Sequence, residues 1–430
     1  MTVQAPESDY TRKTAEPLLN APRAESVLAE AGVDVLIATG PENVAYVSGY
    51  YCHTHWSNKG TLAFALLPRD ARPEPTVIAP ALELDAWAEE PPAVGAIRLY
   101  GTSSLQIGRE LGPDPETLLP DDRFIYEHGF QEERHQDALS VLALVVRSGG
   151  YERATIALDE SGLRYGERER VMALFPEATI VDGASLLRRI RMVKTDAEVR
   201  RLEQATVLTC RALASTMAIV EPGITERELL LHYNEQIAAG GGLLSFAAIS
   251  AGRRSGHPHP AASDYRLKLG DVIKYDVGCT FELYHADIGR TQTVGDPSND
   301  QEAIYRALEA GEQAGIAAVR PGARPSAIFE AALDAVREHG LPDYRRHHVG
   351  HGIGIEIYDP PLIQPATASS ELSGLGASDQ PIEQGMVLNV ETPYYVLGKH
   401  GMIVEDTILV TDDGFRYLTD LPRSLRFSGS

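Results

Sequence analysis

A mixed α/β chain of two domains is what this sequence predicts, and three observations carry the prediction. Its 430 residues exceed what one hydrophobic core organises. Helical and strand-type hydrophobic periods alternate from about residue 23 to residue 185. Beyond that, one unit of amphipathic helix, Val-x-Pro-Gly joint and second helix occurs twice, with Gly223 and Gly322 standing 99 positions apart. The expected domains are therefore 1–185, an α/β domain of mixed topology, and 186–430, a duplicated half-domain.

Residues 1 to about 20 are polar and proline-containing and read as a loosely docked arm. Arg23 to Ala31 has helical spacing, Val33 to Ile37 is a β-branched run, and the turn signal Gly40-Pro41 leads into Glu42 to Gly49. Thr61 to Leu67 and Thr76 to Ala79 read as strands, Gln131 to Val146 holds a helix, and Thr155 to Asp159 and Thr179 to Val181 are strand-like again. No glycine-rich phosphate loop follows any of these strands, so nucleotide binding has no support. Tyr50-Tyr51-Cys52-His53-Thr54-His55-Trp56 gathers two tyrosines, two histidines and one of the two tryptophans. Its His-x-His pair has no third ligand nearby, so the segment reads first as an aromatic loop and second as the lining of a pocket or subunit interface.

In the second domain, Thr195-Asp196-Ala197-Glu198 is a capping box that opens a helix to about Val220. Val199, Leu202, Leu208, Leu213 and Met217 supply its apolar stripe. Pro222-Gly223 ends it, and Thr225 to Glu228 caps the next helix. The second copy runs from Gln301 to Val319, through Pro321-Gly322, to a helix beginning near Ser326. Strands follow each copy, with His259, Asp276 and Asp287 after the first and His351, Glu391 and Glu405 after the second.

Those residues carry the chemistry. Asp276 and Asp287 are eleven apart, each behind a short β-type run, and Gly278 is available for a turn, which reads as a hairpin presenting two carboxylates. Within one unbroken strand an odd separation would put them on opposite faces, so the hairpin register decides whether they converge. With His351, Glu391 and Glu405 they form a five-ligand set of four carboxylates and one imidazole, suited to Mn²⁺, Fe²⁺, Co²⁺ or Zn²⁺. Four carboxylates in one pocket need cations to offset their repulsion, and two divalent ions are the natural count.

Composition bounds the partners. With 39 basic against 61 acidic residues and a net charge of −22, neither nucleic acid nor an anionic membrane is expected. Three cysteines at distant positions, Cys52, Cys210 and Cys279, fit a reducing, cytoplasmic setting. Met1 to Arg23 has no apolar core of the signal-peptide kind, and Leu139 to Val146, the longest apolar run, is too short to span a bilayer.

The order Asp, Asp, His, Glu, Glu, with fourteen positions between the glutamates, resembles the pita-bread metallopeptidases, the group of methionine aminopeptidase, aminopeptidase P, Xaa-Pro dipeptidase (prolidase) and creatinase. The resemblance covers about residues 190–420, and Pro41 to Gly49 is similar to the creatinase-type amino-terminal domain. It implies that Asp276 chelates one metal, that Asp287 and Glu405 bridge two, and that His351 and Glu391 complete the second. Glu391 is then the general base, His259 the histidine that steadies the tetrahedral intermediate or shuttles a proton, and His347 a second active-site histidine. It also implies a homodimer in which His53, His55 and Trp56 line the partner's substrate pocket. His257 and His348 are read as structural or surface histidines.

Two departures fall where substrate is read. Seven residues after His351, where prolidase-like proteins carry a histidine, stands Tyr358, a candidate substrate contact. Two before Glu405, where prolidases commonly carry an arginine for the substrate carboxylate, stands Ile403. The expected function is hydrolysis of an amide C–N bond in a short peptide or small molecule, of the Xaa-Pro dipeptidase or aminopeptidase kind. The alternatives are a non-peptidase member of the fold, acting on a creatine- or ectoine-like substrate or as a lyase, and a binding protein without catalysis.

Overall fold

The computed structural model describes residues 16–57, 61–70, 74–89, 93–103, 105, 115–130, 135–366 and 379–426. Most of the expected amino-terminal arm, and residues 131–134 of the helix expected from Gln131, lie outside them. The chain divides into two compact units at Ile190/Arg191.

In the first unit, helix α1 (Ala21–Glu30) begins where Asn20 accepts a hydrogen bond from Arg23 N. It feeds strand β1 (Val35–Ala38), whose four apolar residues are all buried, as befits an interior strand. Around β1 stand β2 (Phe64–Pro68), β3 (Thr76–Pro80), β4 (Ala96–Tyr100), β5 (Thr155–Leu158) and β6 (Thr179–Asp182), in the order β4-β3-β2-β1-β5-β6. β1 runs antiparallel to β2 and parallel to β5, so the sheet is mixed. Pro41 opens helix α2 (Pro41–Ser48), and Gly49, at φ 67°, stops it. The aromatic segment is a one-turn helix, α3 (His53–Ser57), rather than a loop. Glu83 explains it, accepting from the backbone N–H of His53 and Thr54 as a side-chain cap. Helices α4 (Leu84–Glu89), α5 (Pro120–Phe130), α6 (Ala138–Ser148), α7 (Glu167–Leu174) and α8 (Gly183–Arg191) complete this part. Among these α6 is capped by Asp137 and buries Leu139, Leu142 and Val146.

The second unit repeats itself. Helices α9 (Asp196–Ala218) and α10 (Glu226–Ala239) each open with a capping box, Thr195/Glu198 and Thr225/Glu228. The second pair is α11 (Asn299–Ala317), capped by Ser298 and Gln301, and α12 (Pro325–Glu338), with Pro at its first turn. Gly223 and Gly322 both take positive φ in the joints, a conformation that favours glycine.

Both helix pairs pack on one sheet, built from β7 (Leu243–Ala251), β8 (Val272–Phe281), β9 (Tyr284–His285), β10 (Ile288–Thr293), β11 (Gly350–Gly352), β12 (Asp359–Leu362), β13 (Val387–Glu391), β16 (Glu405–Val410) and β17 (Phe415–Tyr417); β14 (Tyr394–Tyr395) and β15 (Gly401–Met402) pair separately. The main path reads β12-β11-β13-β16-β10-β8-β7. Strands after the first helix pair thus occupy one side, strands after the second the other, and β10 meets β16 in the middle.

Each half has its own core. Leu213, Leu229 and Tyr233 pack with Ile273, Tyr275, Val277 and Ile288; Leu308, Ile328 and Val336 pack with Leu388, Val390, Val404 and Ile408. Because side chains alternate along a strand, these choices put Asp276, Asp287, Glu391 and Glu405 together on the face away from the helices. The aspartate hairpin is present, but its turn lies at Glu282 and Leu283, both at positive φ, not at Gly278. Gly278 belongs to β8, and a Cβ there would stand 2.0 Å from the carbonyl oxygen of Ala286.

Candidate metal centre

The acidic residues form a row. β8 pairs with β10 so that Asp276 faces Gly289, Gly289 faces Glu405 on β16, and Glu405 faces Glu391 on β13. Asp287, two positions from Gly289, points to the same side, so an odd sequence separation becomes convergence across the hairpin. Directly opposed like charges destabilise a sheet, and Glu391 against Glu405 is such a pair. Gly289 supplies the gap in the row, where a Cβ would stand 2.7 Å from Ile403 Cγ1 and 2.8 Å from Glu405 Cβ.

Asp287, His351 and Glu405 are buried, and their ligand atoms lie within 4.8 Å of one another. His351 Nδ1 is 2.9 Å from the carbonyl oxygen of Gly352. A carbonyl only accepts, so Nδ1 carries the proton and Nε2, 3.6 Å from Asp287 Oδ2, keeps its lone pair for a cation. Burial, then the charges of Asp287 and Glu391, push Asp276 up to about 8. Burial, then Asp287, Glu391 and Asp276, hold Glu405 well above the ordinary carboxylate range.

Residues 200–412 match metallopeptidase family M24, and residues 22–193 match the creatinase/prolidase N-terminal domain. The uncharacterized peptidase YqhT of Bacillus subtilis is 30% identical over 304 residues, 69% of this chain and 81% of that protein. The chain belongs to metallopeptidase family M24. The Xaa-Pro dipeptidase of Lactobacillus helveticus is 25% identical over 412 residues, 95% of this chain and 98% of that protein. The crystal structure of dipeptidase PepE from Mycobacterium ulcerans shares 26% of its sequence with the chain and superposes with a TM-score of 0.73, covering 94% and 96% of the two chains. This M24 chain is accordingly a metal-dependent peptidase with the pita-bread fold.

Its residues fit divalent cations. The donor set is oxygen-rich with one imidazole. Asp287 Oδ1 is buried with no hydrogen-bond partner, a position that is costly unless something positive meets it. Two buried residues that sequence reasoning passed over steady this set. Asn389 donates from Nδ2 to Glu405 Oε1 (3.1 Å) and to the carbonyl oxygen of Asp287 (3.0 Å), and the Thr407 hydroxyl donates to Asn389 Oδ1 (2.9 Å). The signal was available, since positions 389 and 407 share strand faces with 391 and 405.

His348, expected to be structural or at the surface, is buried with Nδ1 3.1 Å from Glu391 Oε1. Burial, then the neighbouring His351, His347 and Arg346, hold it down to about 2, so it is neutral. His347 is exposed and meets His348 edge-on, ring centroids 4.3 Å apart. His259 is also exposed; partial burial, then Lys274 and Arg346, lower its pKa. The loop before it is fastened by fully buried Lys274, which shares a strand face with Asp276 and donates from Nζ to the carbonyl oxygens of His257 (2.7 Å) and Pro258 (2.6 Å).

Tyr358 stacks on His351, centroids 3.8 Å apart and planes 18° from parallel. The next residue, Asp359, is held by Arg191 (2.8 Å) and Lys194 (3.2 Å), which fixes the chain at that point. Ile403 is fully buried. In the first unit, His53 is exposed, Trp56 stacks on Tyr51 at 5.3 Å, and His55 is buried, with burial lowering its pKa to about 4.

Proposed function

We propose that the chain hydrolyses an amide C–N bond in Xaa-Pro substrates, as a dipeptidase or aminopeptidase, with two divalent cations, manganese among those the donors suit. The observation that carries this reading is the buried convergence of Asp287, His351 and Glu405 in line with Asp276 and Glu391. Asp276 would hold one cation, Asp287 and Glu405 would lie between two, and His351 and Glu391 would hold the other. When bound, the cations would supply Lewis acidity that polarises a carbonyl and acidifies water.

The chain's own groups then do the rest. Glu391 takes the proton from the attacking water as general base, with neutral His348 at its side. His259, on the loop tethered by Lys274, faces the developing oxyanion or returns the proton to the leaving amine. His347 serves as a second polar contact, and the Tyr358 ring, laid over His351, lines the substrate side. The working form is a cytoplasmic homodimer in which His53, His55 and Trp56 border the partner's pocket. Supporting this, Trp56 Nε1 and His55 Nδ1 are buried donors or acceptors without hydrogen-bond partners. No observation favours the non-peptidase alternative, and the relatives carry peptidase names.

The test is a substrate panel of several Xaa-Pro dipeptides, a longer Xaa-Pro peptide, creatine and ectoine, with stripped protein resupplied with Mn²⁺, Co²⁺, Fe²⁺ or Zn²⁺. Metal-dependent release of proline is expected, and Glu391→Gln should slow it by about 10²–10⁴-fold. Cleavage of creatine or ectoine alone would refute the proposal.

A further inference from the structure

Two cations stand beside the acidic row, and they are not equivalent. Lys274 spends its Nζ on two carbonyl oxygens. The guanidinium of Arg346 lies 3.9 Å from Glu391 Oε1, beyond hydrogen-bond distance, and 5.3 Å from the centroid of the Tyr395 ring. Its side chain is only 12% exposed, and Nε is buried without a hydrogen-bond partner. A planar cation of five donors, mostly withdrawn from water and with its Nε–H unmet, is poised for a carboxylate that arrives from outside. The Tyr395 ring meets both cations, Lys274 Nζ at 4.5 Å and the Arg346 guanidinium at 5.3 Å from its centroid. Ile403, buried and apolar, offers an anion nothing.

We propose that Arg346 binds the free C-terminal carboxylate of the substrate, which makes the chain a dipeptidase rather than an aminopeptidase of longer peptides. This rests on the peptidase reading above. The alternative role for Arg346 is to hold Glu391 in place, and the two roles separate by experiment.

The measurement compares kcat/KM of the metal-loaded full chain for Ala-Pro, its C-terminal amide and Ala-Pro-Gly. Wild type should favour the free dipeptide over the amide by about 10- to 100-fold, the worth of a charge-assisted hydrogen bond, and should disfavour the tripeptide. Arg346→Gln should bring the dipeptide-to-amide ratio toward one, chiefly through KM of the dipeptide, and Arg346→Lys should retain part of the preference. Equal losses on dipeptide and amide in Arg346→Gln, entered through kcat, would overturn the proposal in favour of support for Glu391. Wild type that cleaves the amide as well as the dipeptide would overturn it without any variant and leave the peptidase reading standing. Wild type with metals bound that cleaves none of the three would overturn both.

Discussion

Glu391 and Glu405 oppose each other across β13 and β16, and Asn389 is the neutral residue that lets them do so. Its amide carries no charge to add to the row, and both of its hydrogens are used on Glu405 and the Asp287 carbonyl. Asn389→Leu should therefore lower metal affinity by about 10- to 100-fold while leaving Asp287, His351 and Glu405 in place, read by titrating the stripped protein with Mn²⁺ or Zn²⁺. Unchanged affinity would show that Glu405 needs no such support. At this scale the convergence of Asp287, His351 and Glu405 was legible because their residue types and order carry the chemistry directly. The approach of His348 to Glu391 was not legible, because adjacent residues differ in burial only once the strand's entry angle is fixed. Arg346 and Lys274 were hidden for a similar reason, since charge in a sequence reads as surface until packing withdraws it from water.

Helix starts were the clearest elements, because a capping box is a local bargain between Thr195 and Glu198, or Thr225 and Glu228, that needs no distant partner. Thr225→Ala should cost about 1 kcal/mol, measured as a lowered urea midpoint. Strand-level reading went astray at Gly278, taken for a turn residue although the close approach of Ala286 is what requires it. Gly278→Ala should accordingly disrupt the β8 hairpin and abolish metal binding with it; a variant that binds metal as the parent does would show that β8 can shift without harm. The α3 turn was missed because its cap, Glu83, lies thirty positions from His53.

The whole chain offers an independent handle on its first unit, for both tryptophans, Trp56 and Trp87, lie there. Asp159 in the same unit is fully buried. Burial alone would raise its pKa, but hydrogen bonds from Ser161, Gly40, Thr39 and Asn43 outweigh it and hold the pKa below the usual value. A depressed folded-state pKa contributes stability above the unfolded value of about 3.9 and loses it as pH falls through the folded value. Tryptophan-monitored urea midpoints should thus fall steeply below about pH 4, and Asp159→Asn should flatten that part of the profile. The two-domain plan and the duplication were legible because length and a repeated helix joint survive any error in strand boundaries. What no linear reading supplied was the register at which the halves meet.

That meeting has a consequence in time. Strands within each half find neighbours nearby in the chain, whereas Arg290 and Asp406, which lock β10 to β16 at 2.6 Å, are 116 positions apart. Closing so long a loop is among the later and slower events of folding. The acidic row spans that seam, with Asp276 and Asp287 on one side and His351, Glu391 and Glu405 on the other. In refolding, metal uptake should lag the return of helical circular dichroism; simultaneous recovery would mean that the cations recruit the halves instead of rewarding their union.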